Sequence, residues 1–105
     1  MATNDDPVFV SGGSGRLQPD VGATLLALEV SSGRKATRVG KPEEFCFEVI
    51  LNDFFPDLEH KWSDPEFLSQ FLMVGDNLET DIWFGKNVGI KTCFLYSGIS
   101  LYPPN

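Results

Sequence analysis

The densest set of chemistry-bearing residues is Gly75-Asp76-Asn77-Leu78-Glu79-Thr80-Asp81, three carboxylates within a short stretch. Crowded carboxylates oppose one another's ionisation unless a cation or hydrogen-bond donors compensate. A hard cation with oxygen ligands, such as magnesium, resolves that conflict. Placement near a helix start would also favour Glu79 and Asp81, by about 0.3–1 kcal/mol each. That plainer reading does not account for Asp76, which directly follows the apolar run Phe71-Leu72-Met73-Val74. Lys41 is the second candidate. It stands just before Pro42, at the expected start of a helix, which is the wrong end of the dipole for a cation. There it suits binding a phosphate or neutralising nearby carboxylates; as an ordinary exposed lysine it needs no site at all.

Other patterns carry less. The stretch Gly33 to Pro42 resembles a phosphate-binding loop only superficially: six residues separate Gly33 from Gly40, and proline stands where serine or threonine is required. The glycine run at 11–15 reads as a connector. His60 is the single histidine, in a polar stretch, and reads as solvated surface. Cys46 and Cys93 form no C-x-x-C pair or zinc-type spacing and read as buried, reduced thiols. Trp62, Trp83 and the nine phenylalanines read as core and interface.

The elements that must position Lys41 and Asp76 follow from periodicity and punctuation. Residues 1–18 read as loop with one short strand at Val8-Phe9-Val10. Pro19 to Ser32 reads as a helix with Val21, Leu25 and Leu28 as its apolar stripe and Gly33 just past its end. A strand is expected over 36–39, then a helix from Pro42 burying Phe45, Val49 and Ile50. Residues 57–69 read as a surface loop with at most a helical turn. The run 71–74 reads as a parallel strand buried on both faces. A helix over 79–88 stopped by Gly89, a strand over 90–96, and a tail complete the order. Alternating helices and strands imply a parallel sheet with right-handed crossovers. Ligands then sit at the carboxyl ends of strands, which puts Lys41 and Asp76 on one edge.

Bulk properties narrow the class. The chain has 105 residues, one domain at most, with 42% hydrophobic and 22% charged residues. Its net charge of -7 argues against nucleic-acid or anionic-membrane binding and suits a site that holds a cation. The N-terminus has neither a basic region nor an apolar run, so no signal peptide is expected there, and the expected location is a reducing cytoplasm.

Together the motifs resemble the p-nitrophenylphosphatase-like branch of the haloacid dehalogenase (HAD) superfamily, which includes phosphoglycolate phosphatase, pyridoxal phosphate phosphatase and NagD proteins. Ala2-Thr3-Asn4-Asp5-Asp6 is similar to the segment leaving the cap domain, and Gly15-Arg16-Leu17 with Pro19-Asp20-Val21-Gly22 to the stretch that follows. Ser32-Gly33-Arg34-Lys35 and Val39-Gly40-Lys41-Pro42 resemble the third motif, and Met73 to Asp81 the fourth. Gly85, Gly89 and Ser97-Gly98-Ile99-Ser100 continue the likeness. The resemblance implies an α/β chain: part of a Rossmann-like HAD core, a parallel sheet with flanking helices. Residues 1–18 would be a remnant of the cap-to-core connection and 19–105 the C-terminal part of the core. It implies a catalytic Lys41, magnesium held by Asp76 and supported by Asp81, and a small phosphorylated substrate near Asn4, Asp6 and Asn77.

The departures matter as much. The family's nucleophile is the first aspartate of a D-x-D-G motif, and no two aspartates here lie two positions apart. The family's second motif, its central nucleophile strand and nearly all of the cap are missing as well, and Asp20 stands where glycine usually follows the proline. The chain is therefore expected to be the C-terminal piece of a phosphomonoesterase, inactive alone. The competing expectation is a non-catalytic remnant or binding module that holds magnesium or phosphate weakly, or that forms a homodimer or takes a missing strand from a partner. An unrelated receiver-like α/β domain is a third.

Overall fold

A computed structural model describes residues 1–96, so the resemblance at 97–100 and the tail lie outside the described residues. The contacts group into two compact units, Met1–Gly40 and Lys41–Asn105, each described by itself.

In the first unit, β1 (Val8–Val10) pairs antiparallel with β2 (Leu17–Pro19), with Val8 opposite Pro19 and Val10 opposite Leu17. Sequence reading misses β2, since Leu-Gln-Pro has no strand pattern and Pro19 suits a helix start equally well. Helix α1 spans Val21–Ser32. Asp20, not Pro19, marks its start: the Asp20 carboxylate accepts from the Val21 N–H at 2.7 Å. Gly33 ends it at φ 65°, a left-handed conformation that glycine adopts without strain. The expected stripe does not face inward. Val21 and Leu28 are exposed, and the buried positions are Gly22 and Glu29, seven residues apart. The Asp5 backbone approaches Gly22 so closely that a Cβ there would collide with the Asp5 carbonyl. The strand expected over 36–39 is an isolated parallel bridge between Ala2 and Arg38, held by Ala2 N–H to Thr37 O and Val39 N–H to Ala2 O.

Glu29 is the hub of this unit. Its carboxylate accepts from Arg38 Nη1 (3.0 Å) and Nη2 (3.3 Å), Lys35 Nζ (3.0 Å) and the Ala36 N–H (2.8 Å). Arg38 Nε donates to Asp5 at 2.6 Å. A buried carboxylate needs such partners, and here they outweigh burial. The Arg38 hydrogen bonds, then those from Ala36 and Lys35, pull the Glu29 carboxyl down to about 2.

In the second unit, α2 (Phe45–Phe54) precedes a 3-10 segment, Pro56–Lys61, and a short α3 (Pro65–Leu68) capped by Asp64. Strand β3 (Leu72–Gly75) pairs in parallel with β4 (Lys91–Phe94), placing Leu72 beside Lys91 and Gly75 beside Phe94. Between them lie a π-helical turn, Leu78–Ile82, and α4 (Trp83–Asn87). The α/β architecture with a parallel strand pair and helices is as the sequence implies. The core is Phe47, Leu51, Phe67 and Phe84, with Phe71 and Met73 packed against it. Phe47 meets Phe71 and Phe84 edge-on at 5.3 and 6.2 Å, the arrangement that aromatic quadrupoles favour.

Several expectations give way here. Phe45, Val49 and Ile50 are exposed, and the buried stripe of α2 is Phe47 and Leu51. Residues 57–69, expected to be surface loop, contribute buried Phe67. Strand β3 is not covered on both faces, since Leu72 and Val74 are exposed. Trp83 is exposed, whereas Trp62 is half-buried with its indole N–H on Phe55 O at 3.2 Å. Cys93 is exposed and Cys46 half-buried; both are free, and burial pushes the Cys46 thiol up.

Candidate functional site

The acidic loop is built by one local device. After β3 the chain turns at Asp76 and Asn77, and the Asn77 side chain accepts from the N–H groups of Glu79 (2.9 Å) and Thr80 (3.4 Å). Two donors that a helix start leaves unpaired are thereby satisfied. The Asn77 carbonyl takes bonds from both the Asp81 N–H (2.9 Å) and the Ile82 N–H (3.2 Å), and the second makes the turn π-helical. Such turns recur at functional sites because they re-aim a side chain. Here the side chain is Asp81, which is buried.

Both oxygens of Asp81 are engaged. Oδ1 takes Lys41 Nζ, and Oδ2 takes the N–H groups of Asp76 (3.1 Å) and Asn77 (3.2 Å). The carboxylate thus ties the strand-to-helix loop to Lys41, forty positions earlier in the chain. Gly75 makes room for it: a Cβ at that position would collide with the Asp81 carboxylate. Lys41 sits at a cis peptide with Pro42, and Asn87 Nδ2 donates to the Pro42 carbonyl at 3.0 Å. The lysine side chain stays 42% exposed, so its charge is shared between Asp81 and solvent.

Asp76 differs from Asp81. It is half-buried, and among the described residues its carboxylate makes no hydrogen bond or ion pair. It does not amount to a metal site, because among the described residues no three His, Cys, Asp or Glu side chains group to hold a metal. Six or more oxygens normally surround a hard cation. One open carboxylate fits one of them.

Of the residues singled out from sequence, the structure brings Lys41, Asp76, Asn77 and Asp81 into one loop system. Asn4 and Asp6 lie in the other unit, where the Asn4 side chain accepts from the Asp6 N–H at 2.8 Å and the Asp6 carbonyl accepts from Gly22. Sequence reading missed the capping role of Asn77 and the spacing role of Gly75. The signal for the first was present: an asparagine two positions before a glutamate, where a strand run ends.

A parallel strand pair thus carries an acidic turn at its carboxyl end, and a lysine is delivered to that turn. Residues 38–102 match the HAD-hydrolase-like family model, and the chain belongs to that family. Among curated relatives it is 38% identical to mouse chronophin over 100 residues, covering 95% of this chain and 30% of that protein. It is 35% identical to Arabidopsis thaliana phosphoglycolate phosphatase 2 over 102 residues, again 95% of this chain and 30% of that protein. Among solved structures, 4-nitrophenylphosphatase from Thermotoga maritima superposes with a TM-score of 0.67 at 33% identity, covering 90% of this chain and 32% of that one. The chain thus spans about 30% of the length of the curated relatives it matches. No helix among the described residues is long and apolar enough to cross a membrane.

Proposed function

We propose that this chain carries the lysine and the acidic loop of a magnesium-dependent phosphomonoester hydrolase acting on a small phosphorylated metabolite, of the p-nitrophenyl phosphate, phosphoglycolate or pyridoxal phosphate type. The observation that carries this reading is the division of labour between two aspartates five positions apart. Asp81 is saturated and holds Lys41, while Asp76 keeps an open carboxylate at the strand end.

Lys41 is the electrostatic group: its ammonium, half in solvent, offsets charge on a transferring phosphoryl group and on an attacking carboxylate. Asp81 is a positioning residue that supports the metal site by fixing Lys41 and the loop. Asp76 is the side chain that would supply one oxygen to magnesium, a group that would neutralise phosphate charge. Asn77 is assigned to the substrate side, and for Asn4 and Asp6, in the other unit, the same role is proposed on the family resemblance alone. No residue of this chain is assigned as nucleophile, since no D-x-D pair occurs in it. Phosphoryl transfer through an acyl phosphate needs that carboxylate as the attacking group. Residues 1–18 are read as a remnant of the cap-to-core connection and 19–105 as the C-terminal part of the core. Two free thiols suit a reducing cytoplasm.

A second reading rests on β3. Leu72 and Val74 are 56% and 48% exposed on a strand paired, among the described residues, with β4 alone. An apolar strand left this open invites pairing, so a homodimer or a partner supplying the missing strand is part of the proposal. A nucleophile-less binding module is what remains if catalysis is never completed. The discriminating assay is p-nitrophenyl phosphate turnover by the purified chain with magnesium. We expect none; robust turnover that Asp76→Asn abolishes would overturn the assignment of the nucleophile to residues outside this chain.

A further inference from the structure

The charge of this protein is unevenly distributed along the chain. Residues 1–40 carry four cationic and four acidic side chains, whereas residues 41–105 carry four cationic against eleven acidic ones, so the whole net charge of -7 resides in the second unit. That unit also contains a cleft of about 380 Å³, distinct from the Lys41–Asp81 loop. Its apolar lining is Phe47, Leu51, Leu68 and Val88, side chains of the core or packed against it. Trp62, the neutral polar residues Ser63 and Asn87, and two glutamates, Glu44 and Glu48, also line it, and neither lysine nor arginine does so among the described residues.

Three features make this cleft more than a surface dent. Glu44 and Glu48 lie one helical turn apart and so share a side of α2, an arrangement of like charges that costs a helix a few tenths of a kcal/mol. Proximity to the helix start offsets that cost but does not explain why both border apolar side chains. Trp62 is held by its N–H on the Phe55 carbonyl and packs against the core, with its half-buried indole bordering the cleft. The size falls within the range of clefts that hold a small ligand or one or two side chains.

An apolar trough with an aromatic wall and two carboxylates at its rim matches one side chain best. Arginine lays an aliphatic stem on apolar surface, stacks its planar guanidinium on an indole and pairs with carboxylates through forked hydrogen bonds. We infer that the cleft between Glu44, Glu48 and Trp62 is a docking site for a protein segment presenting an arginine beside an apolar residue. The acidic field of residues 41–105 steers such a segment toward it. This site is independent of the phosphatase reading, since none of Lys41, Asp76 and Asp81 lines the cleft.

The test is a titration of the isotope-labelled full chain, followed by ¹H–¹⁵N NMR, with the peptide acetyl-Leu-Arg-Leu-amide. Its citrulline counterpart and arginine amide serve as comparison probes. The expected result is shifts concentrated at Glu44, Phe47, Glu48 and the Trp62 indole, loss of binding with citrulline, and weaker binding by arginine amide alone. Glu44→Gln/Glu48→Gln should weaken the arginine peptide about five- to tenfold, the product of two exposed charge pairs. Because both positions are exposed, folding of this variant is checked directly by its unchanged spectrum elsewhere. The charge-reversed Glu44→Lys/Glu48→Lys chain should instead prefer acetyl-Leu-Glu-Leu-amide. Equal binding of the citrulline peptide, arginine amide binding as tightly as the peptide, shifts centred elsewhere, or no shift at millimolar peptide would each overturn the inference.

Discussion

Asp81→Ala is the perturbation that most sharply probes how the site is held. Asp81 is 7% exposed at its side chain and accepts from two backbone N–H groups and Lys41. A hydrogen bond to a charged acceptor contributes about 1.5–3 kcal/mol, and its removal leaves the donors unsatisfied. The Lys41 pair adds less than about 1 kcal/mol because the ammonium is half in water. The expected loss is therefore about 3–5 kcal/mol, the range seen when one partner of a buried pair is removed. Asp81→Asn keeps one acceptor oxygen for the backbone but turns an amide NH₂ toward Lys41, and should lose about 1–2 kcal/mol. Urea unfolding followed by tryptophan fluorescence reads both variants, since Trp83 directly follows the turn. With a slope of about 1.5 kcal/mol/M, the midpoint falls by about 2–3 M for the alanine, which leaves that variant unfolded without urea where the parent midpoint is lower than this, and by about 1 M for the asparagine. An alanine midpoint within about half a molar of the parent, or an asparagine as damaging as the alanine, would refute the view that the carboxylate pins the loop.

Two further predictions concern the scaffold. The Glu29 carboxyl is depressed to about 2 from an ordinary 4.5, so its contribution to folding is fully present above about 4.5 and is lost as pH falls from there toward 2. Protection of the α1 amides, corrected for the intrinsic exchange rate at each pH, should fall across that window, and Glu29→Gln should flatten the dependence; an unchanged acid profile in the variant would remove Glu29 from its role. Sedimentation with thermal melting tests the open strand face. We expect a chain that self-associates or melts at low temperature, whereas a monomer with a sharp, concentration-independent melt above about 65 °C would show that β3 needs no cover.

The sequence made some of this legible and hid the rest for identifiable reasons. The acidic loop, the strand before it and the helix stop at Gly89 were readable because glycine and aspartate punctuate an apolar run. The contact of Lys41 with Asp81 was not readable from spacing, since the two lie forty positions apart; strand order put Lys41 and Asp76 on one edge, and the resemblance of both motifs to one family pointed to a shared site. The buried face of α2 was misassigned because Phe45-Cys46-Phe47-Glu48-Val49-Ile50-Leu51 is apolar almost all round. Periodicity then cannot choose a side, and tertiary packing chose Phe47 and Leu51. Glu29 was hidden differently. Pattern reading sends a charge outward, and what draws this one in is donors six to nine residues downstream, on Lys35, Ala36 and Arg38. Short β2 carried no strand signal at all, and its pairing depends on β1 alone.

The proposed role of Lys41 and Asp76 is to serve a phosphomonoesterase whose attacking carboxylate no residue of this chain supplies. Its most direct test is a chimera in which this chain replaces the matched third of the Thermotoga maritima 4-nitrophenylphosphatase, assayed on 4-nitrophenyl phosphate with and without magnesium. Magnesium-dependent turnover is expected, falling by about 10²-fold or more on Lys41→Met and on Asp76→Asn. A folded chimera that turns over equally well with either substitution, or without magnesium, would contradict it.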